Sequence, residues 1–191
     1  MPDRPARQYL PPFLISSSGL EPLAWDGALE AGTLLRDLDL MTLVAAAEAG
    51  PENIALDLDS VDGLNADEAG ARFVTGRLGI RIVMTRRPAL AAVVAEEGCL
   101  GLVHVYAFDS TGLKRALESH PAGNGVGTVI SPGPVLSHLT ADDLEHLPRP
   151  IVAYGLIDAP DRARQLQTIA NCVVVGPELV SGLAGGRSLA R

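Results

Sequence analysis

"IALDLDSVDGLNADEAG", Ile54 to Gly70, is the stretch whose reading decides the fold. It begins as an apolar run, gathers Asp57, Asp59 and Asp62, turns at "VDGL" and enters a helical pattern. As a calcium loop it fails: counted from Asp57, Asp59 and Glu68 take the third and twelfth places, but the required sixth-position glycine is Asp62 and the fifth residue is Val61. Alternation instead groups Asp57 and Asp59 with Ala55, opposite Ile54, Leu56 and Leu58. Both acids are therefore expected on a strand, with their carboxylates to one side of its C-terminal end. Asp62 and Gly63 read as the turn that follows.

The same strand-then-helix phrase recurs along the chain. Short apolar, β-branched runs occur at "PFLI", "GTLLR", "IALDL", "RIVMT", "LGLVHVYAF", "GTVIS", "PIVAY" and "CVVVG", eight in all. Helical patterns lie between them at Met41–Ala49, Asp67–Leu78, Pro88–Glu96, Thr111–Ser119, Ala141–Leu147, Pro160–Ile169 and Glu178–Leu183. Eight parallel strands joined by crossover helices close a (β/α)8 barrel, so the expected fold is α/β: a compact TIM-like barrel smaller than the usual ~250 residues. An open doubly wound sheet is the alternative. Asn65 with Glu68, and Asp109 or Ser110, are the expected helix caps, while Pro160 fits a first helical turn after Asp158.

Length and composition set the frame. The 191 residues fit one domain, 1–191, with "MPDRPARQYLP" (1–11) read as a loose N-terminal arm. The apolar share is 47%, yet apolar runs reach only about ten residues, short of the ~20 that span a bilayer, and no basic-then-apolar leader opens the sequence. The expectation is a soluble cytoplasmic protein. Cys99 and Cys172 adjoin apolar runs and read as buried thiols. A net charge of −8 opposes a broadly basic nucleic-acid surface. One segment departs from that average: no acid lies between Glu68 and Glu96, while Arg72, Arg77, Arg81, Arg86 and Arg87 do.

Candidate site residues follow from the C-terminal rim, where barrels build their sites. Asp57 and Asp59 end the third strand. Arg86, in "VMTRRPAL", precedes a helix opened by Pro88 and suits an anion; Arg87 reads as solvated. His104 lies in "LVHVYAFDS", where a lone strand histidine is commonly a satisfied core group. Ser131 ends "GTVIS". Gly155 and Gly176 close the last two strands, the usual place for a phosphate in this fold. Pro177 removes one N–H there, and Glu178 opposes an anion. The only lysine, Lys114, falls in an expected helix, which excludes a Schiff-base lysine at a strand end. There is no H-E-x-x-H, Cys/His cluster or G-x-S-x-G elbow, and "GNGVGT" precedes a strand when a dinucleotide fingerprint should follow one. No metal or cofactor is expected.

"LDLDSVDGLNADEAGARF", "VMTRRPAL", "YAFDSTGLKRA", "ISPGPV" and "YGLID", in this order and spacing, resemble the glycerol-3-phosphate-responsive antiterminator family of glycerol uptake operons. The resemblance covers roughly Gly32 to Val180. It implies a TIM-like barrel, glycerol 3-phosphate as effector, leader messenger RNA as partner, and regulation without catalysis. Asp59, Gly63, Leu64, Asp67 and Glu68 match the family's acidic strand end; Thr85 and Arg86 match its T-R pair. Asp109 and Ser110 match its D-S, Pro132 and Gly133 its P-G, and Gly155 its G-L-I. The family pattern has His at Asp57, Arg at His104, Glu at Val129, Gly at Tyr154 and Ser or Thr at Gly176. The RNA contacts implied are Arg72, Arg77, Arg81 and Arg87. A homo-oligomer is compatible with this reading, as is a barrel enzyme or degenerate ligand-binding barrel acting on a small phosphorylated metabolite, with Asp57 or Asp59 as general base.

Overall fold

The strand expected at Ile54 is one stave of a closed barrel in the computed structural model, which describes residues 10–18, 29–50, 53–107, 109, 113 and 124–185. Its strands are β1 (Phe13–Ser17), β2 (Ala31–Leu35), β4 (Ile54–Asp57), β6 (Ile82–Thr85), β7 (Leu100–Tyr106), β8 (Val126–Ser131), β9 (Ile151–Ala153) and β10 (Cys172–Val175). All neighbours are parallel, and β1 pairs with both β2 and β10, which closes the ring. The eight expected strands are these eight. Two short strands that sequence reading missed, β3 (Leu38–Asp39) and β5 (Val61–Asp62), pair beside the barrel.

Alternation along each strand separates two environments. Leu14, Leu34, Ala55, Ile82, Met84, Leu100, Leu102, Val129, Val152, Cys172 and Val174 pack together as the barrel interior. Their neighbours, such as Ile15, Leu56, Val83, Val103, Ile130 and Val173, face the helical layer. Burying each large aliphatic side chain stabilises the fold by about 1.5–3 kcal/mol. Leu10 packs against the interior cluster just before β1, so that end of the expected loose arm is anchored; residues 1–9 lie outside the described residues.

The helices are α1 (Leu40–Glu48), α2 (Glu68–Arg72), α3 (Pro88–Glu96), α4 (Ala141–His146), α5 (Pro160–Gln167) and α6 (Val180–Ala184). α1 starts where Asp39 accepts from Thr42 N at 2.9 Å, and α4 where Thr140 and Asp143 form a reciprocal capping box. Pro160 opens α5 with its missing N–H at no cost, behind Ala159. Among the described residues no helix is long and apolar enough to cross a membrane.

Four local expectations are corrected. β4 stops at Asp57, and Leu58–Ser60 form a 3-10 turn, so Asp59 is not on the strand. The Ser60 hydroxyl donates to the Asp57 carbonyl at 3.0 Å and takes the acceptor a longer ladder would need. The cap of α2 is Asp67, accepting from Gly70 N at 2.9 Å, and not Asn65. Gly70 is required there, because a Cβ would collide with the Asn65 carbonyl. The helix expected to run on to Leu78 becomes a π turn over Phe73–Arg77. Ahead of α6, Pro177–Leu179 is likewise a separate 3-10 turn. The helix expected at Thr111–Ser119, Ser110 and Lys114 lie outside the described residues apart from Leu113, whose N–H donates to Asp109 O at 3.1 Å.

Candidate functional site at the barrel mouth

Continuing the interior alternation one step beyond the apolar layer gives the groups at the C-terminal mouth. Leu34 leads to Arg36, Ala55 to Asp57, Met84 to Arg86, Leu102 to His104, Val129 to Ser131, Val152 to Tyr154 and Val174 to Gly176. Five expected site residues, Asp57, Arg86, His104, Ser131 and Gly176, therefore share one rim with Arg36 and Tyr154. Asp59 and Gly155 adjoin it.

Asp59 is the most heavily engaged. Its side chain is 4% exposed, and Oδ2 accepts from Thr85 Oγ1 at 3.0 Å and Arg86 N at 2.5 Å. The carboxylate thus takes a backbone N–H just past the β4–β6 ladder, which ends at Asp57 opposite Met84. Arg86 Nε lies 3.4 Å and Arg87 Nε 3.8 Å from the same carboxylate, and Thr85 Oγ1 accepts from Arg87 N at 3.2 Å. Arg87 also donates to the Ala66 carbonyl. The other oxygen, Asp59 Oδ1, is buried with no hydrogen-bond partner among the described residues.

His104 is 6% exposed, with its ring 4.5 Å from Tyr106 and 5.2 Å, edge-on, from Tyr154. Its Nε2 is also buried with no hydrogen-bond partner among the described residues. Burial, reinforced by the Arg86 charge, pushes its pKa down to about 4 and keeps the ring neutral near pH 7. Asp57 moves the other way: burial first, then the Asp59 charge, raise its pKa to about 6. Asp57 and Asp59 are therefore close enough to interact, brought together by the 3-10 turn and not by strand alternation.

Arg36 was missed as a site residue. Its guanidinium donates to the Tyr154 hydroxyl and to Asp37 Oδ2 at 2.7 Å, with Cζ 5.6 Å from the Tyr154 ring centre. Asp37, with φ at 51°, is pinned by its N–H to Ser60 Oγ at 3.0 Å. The signal was present in "GTLLR": Arg36 follows inward Leu34 as Arg86 follows inward Met84.

The corner expected to take a phosphate brings two of its three residues together. Gly155 has φ at 74°, and a Cβ there would lie 3.2 Å from Ser131 Oγ, so these two expected residues meet. Gly133 N donates to the carbonyls of Tyr154 at 2.7 Å and Gly155 at 3.1 Å, fixing the loop. Gly176 precedes a 3-10 turn, and the Glu178 carboxylate fills the space a side chain at 176 would take. The Glu178 carboxylate thus stands directly against the Gly176 position.

The arginine-rich segment does not form one patch. Arg86 and Arg87 stand at the mouth, whereas Arg77 and Arg81 lie before β6, at the opposite end of a strand about 13 Å long at ~3.3 Å per residue. Arg72 pairs with Glu68 at 3.0 Å and with Glu97. Acids from the flanks thus neutralise the start of the segment. Cys99 and Cys172 are both free and buried. Among the described residues no group of three or more His, Cys, Asp or Glu could hold a metal ion.

A closed parallel barrel that collects ionisable and hydroxyl-bearing side chains at its C-terminal mouth defines the molecule as a (β/α)8-barrel protein with a polar rim site. The chain belongs to the glycerol-3-phosphate responsive antiterminator family, whose model matches residues 31–178. It is similar to the glycerol uptake operon antiterminator-related protein of Thermotoga maritima, with 20% identity, a TM-score of 0.72, and coverage of 88% of this chain and 97% of that one. The glycerol uptake operon antiterminator regulatory protein of Listeria monocytogenes gives 16% identity, a TM-score of 0.72, and coverage of 86% and 91%. A phosphoribosylanthranilate isomerase of Thermotoga maritima shares the barrel at 14% identity, a TM-score of 0.56 and 87% coverage of both chains. No curated protein sequence matches the chain.

Proposed function

We propose that the protein is a glycerol-3-phosphate-responsive antiterminator that binds glycerol 3-phosphate at the barrel mouth and, in that state, engages leader messenger RNA of glycerol uptake and metabolism genes. The observation that carries this reading is the family match together with a mouth that joins Arg86 to hydroxyl-pairing groups, Asp59, His104 and Ser131. The phosphate is assigned to Arg86 and the Ser131–Gly155 corner, and the hydroxyls to Asp57, Asp59 and His104. RNA contact is assigned to Arg87 at the mouth and to Arg77 and Arg81 at the opposite end; the ion pairs of Arg72 make it the weakest of the four. The effector would act by favouring the RNA-competent state, which requires tighter binding to that state than to its alternative.

Titration calorimetry with glycerol 3-phosphate, followed by filter binding of leader RNA with and without it, tests the reading. Saturable effector binding and effector-dependent, salt-sensitive RNA affinity are expected. Absence of both would end it. One feature favours a second reading: Asp57, titrating near 6 on the same rim as neutral His104, has the properties of a general base at a barrel mouth. Turnover of a phosphorylated metabolite that disappears in Asp57→Asn would establish that enzyme instead.

A further inference from the structure

Two buried side chains at the mouth, Asp59 at 4% exposure and His104 at 6%, each leave one polar atom with no hydrogen-bond partner among the described residues, Asp59 Oδ1 having only the Arg87 guanidinium 3.8 Å away. An unpaired buried acceptor or donor costs free energy comparable to a lost hydrogen bond, and a hydroxyl reaching both atoms would recover it. The Tyr154 ring packs edge-on against His104, and its hydroxyl holds Arg36. In barrel order β9 and β2 are separated by β10 and β1, so this contact spans the ends of two strands. At those ends the inward positions are small, Ser16 and Gly176. The Arg36–Tyr154 bridge therefore spans two strand ends whose own inward residues are small, with the Glu178 carboxylate filling the space beside Gly176.

We propose that Arg36 is an additional, movable anion contact of the mouth for the phosphorylated polyol of the proposed function. The ligand displaces the Tyr154 hydroxyl from Arg36, accepts the guanidinium on its anionic end, and sets a hydroxyl against Asp59 Oδ1 and His104 Nε2. A charged guanidinium bonded to a neutral phenol gains by exchange for an oxyanion, which it can engage bidentately. Its present acidic partner, Asp37, is 55% exposed and does not fix it in the interior. Arg86 differs, since the carboxylate that faces its guanidinium also binds its own backbone N–H. This inference rests on the proposed reading of the mouth as the site of a phosphorylated polyol.

Calorimetry with glycerol 3-phosphate and with glycerol, on the full chain and on Tyr154→Phe and Arg36→Gln, tests it, with melting curves to establish that each variant is folded. Tyr154→Phe keeps the ring and removes the bond to be broken, so its affinity for glycerol 3-phosphate should rise about threefold to tenfold. Arg36→Gln should lose about tenfold or more for glycerol 3-phosphate while its response to glycerol matches that of the unaltered protein. If the unaltered protein binds glycerol 3-phosphate and folded Arg36→Gln binds it equally or more tightly, Arg36 is only a plug; the inference fails and the functional reading stands. Weaker binding by Tyr154→Phe would overturn the inference independently. If the unaltered protein and folded Tyr154→Phe both ignore glycerol 3-phosphate, both readings fail together.

Discussion

The two sides of the mouth are built on different terms. On the β4–β6 side, Asp59 binds Thr85 Oγ1 and a backbone N–H, and its carboxylate faces both Arg86 and Arg87. On the β2–β9 side, Arg36 meets Tyr154 through side chains alone. Arg36 and Arg86 occupy equivalent places, each two residues beyond an inward apolar residue, so strand geometry does not separate them. The difference is what the nearest acid does. Where a carboxylate caps a strand end it becomes part of the barrel; where two side chains meet over the opening, they can part without disturbing a ladder.

Removing the carboxylate should break this comparison most forcefully. Asp59→Ala strips partners from Thr85 Oγ1 and Arg86 N–H and should cost about 2–4 kcal/mol, a fall in melting temperature of roughly 5–15 °C. A variant melting within about 2 °C of the parent would show that the knot is ornamental. Thr85→Val, nearly isosteric, deletes the hydroxyl that donates to Asp59 and accepts from Arg87 N–H. It should cost about 1–2 kcal/mol in denaturant titration, and less than about 0.5 would place the burden on the Arg86 N–H alone. Tyr154→Phe on the opposite side should change stability by about 1 kcal/mol or less. A loss as large as that of Asp59→Ala would mean that the bridge is structural and the two sides are alike.

The barrel was legible because its signal is repeated: each strand carries the same alternation and ends at a rim position, so errors at single boundaries cancel around the ring. Gly155 and Ser131 were legible as rim residues for the same reason. What remained hidden depended on contacts between distant segments. Nothing in "GTLLR" announces that Arg36 meets a residue 118 positions away. Ser60, which ends β4 by bonding the Asp57 carbonyl, reads in sequence as an ordinary turn residue. The arginines from Arg72 to Arg87 looked like one patch because linear spacing is blind to the length of β6, which carries the chain from one end of the barrel to the other. Glu97, the partner that neutralises Arg72, lies beyond the acid-free window and was invisible to a local count.

The smallest effect is expected in the protein's own pH response, because Asp57 and His104 oppose each other. Asp57 has a folded pKa raised from 3.8 to about 6, so its stabilising contribution is full below the unfolded value and is lost as pH rises through about 6. His104 has a folded pKa lowered from 6.5 to about 4, so its contribution is full above the unfolded value and is lost as pH falls through about 4. Between those limits the two slopes run against each other and the mouth adds little net pH dependence. Each substitution should expose the surviving partner. Relative to the unaltered protein, Asp57→Asn should become progressively more stable as pH rises from about 4 to 6, leaving the rising His104 slope uncancelled. His104→Asn should show the reverse trend, its relative stability growing as pH falls from about 6.5 to 4. Melting temperatures of the three proteins across that window decide it: offsets that stay constant with pH would mean that neither group is desolvated at the mouth. A sloping offset in one variant beside a constant offset in the other would mean that only one is.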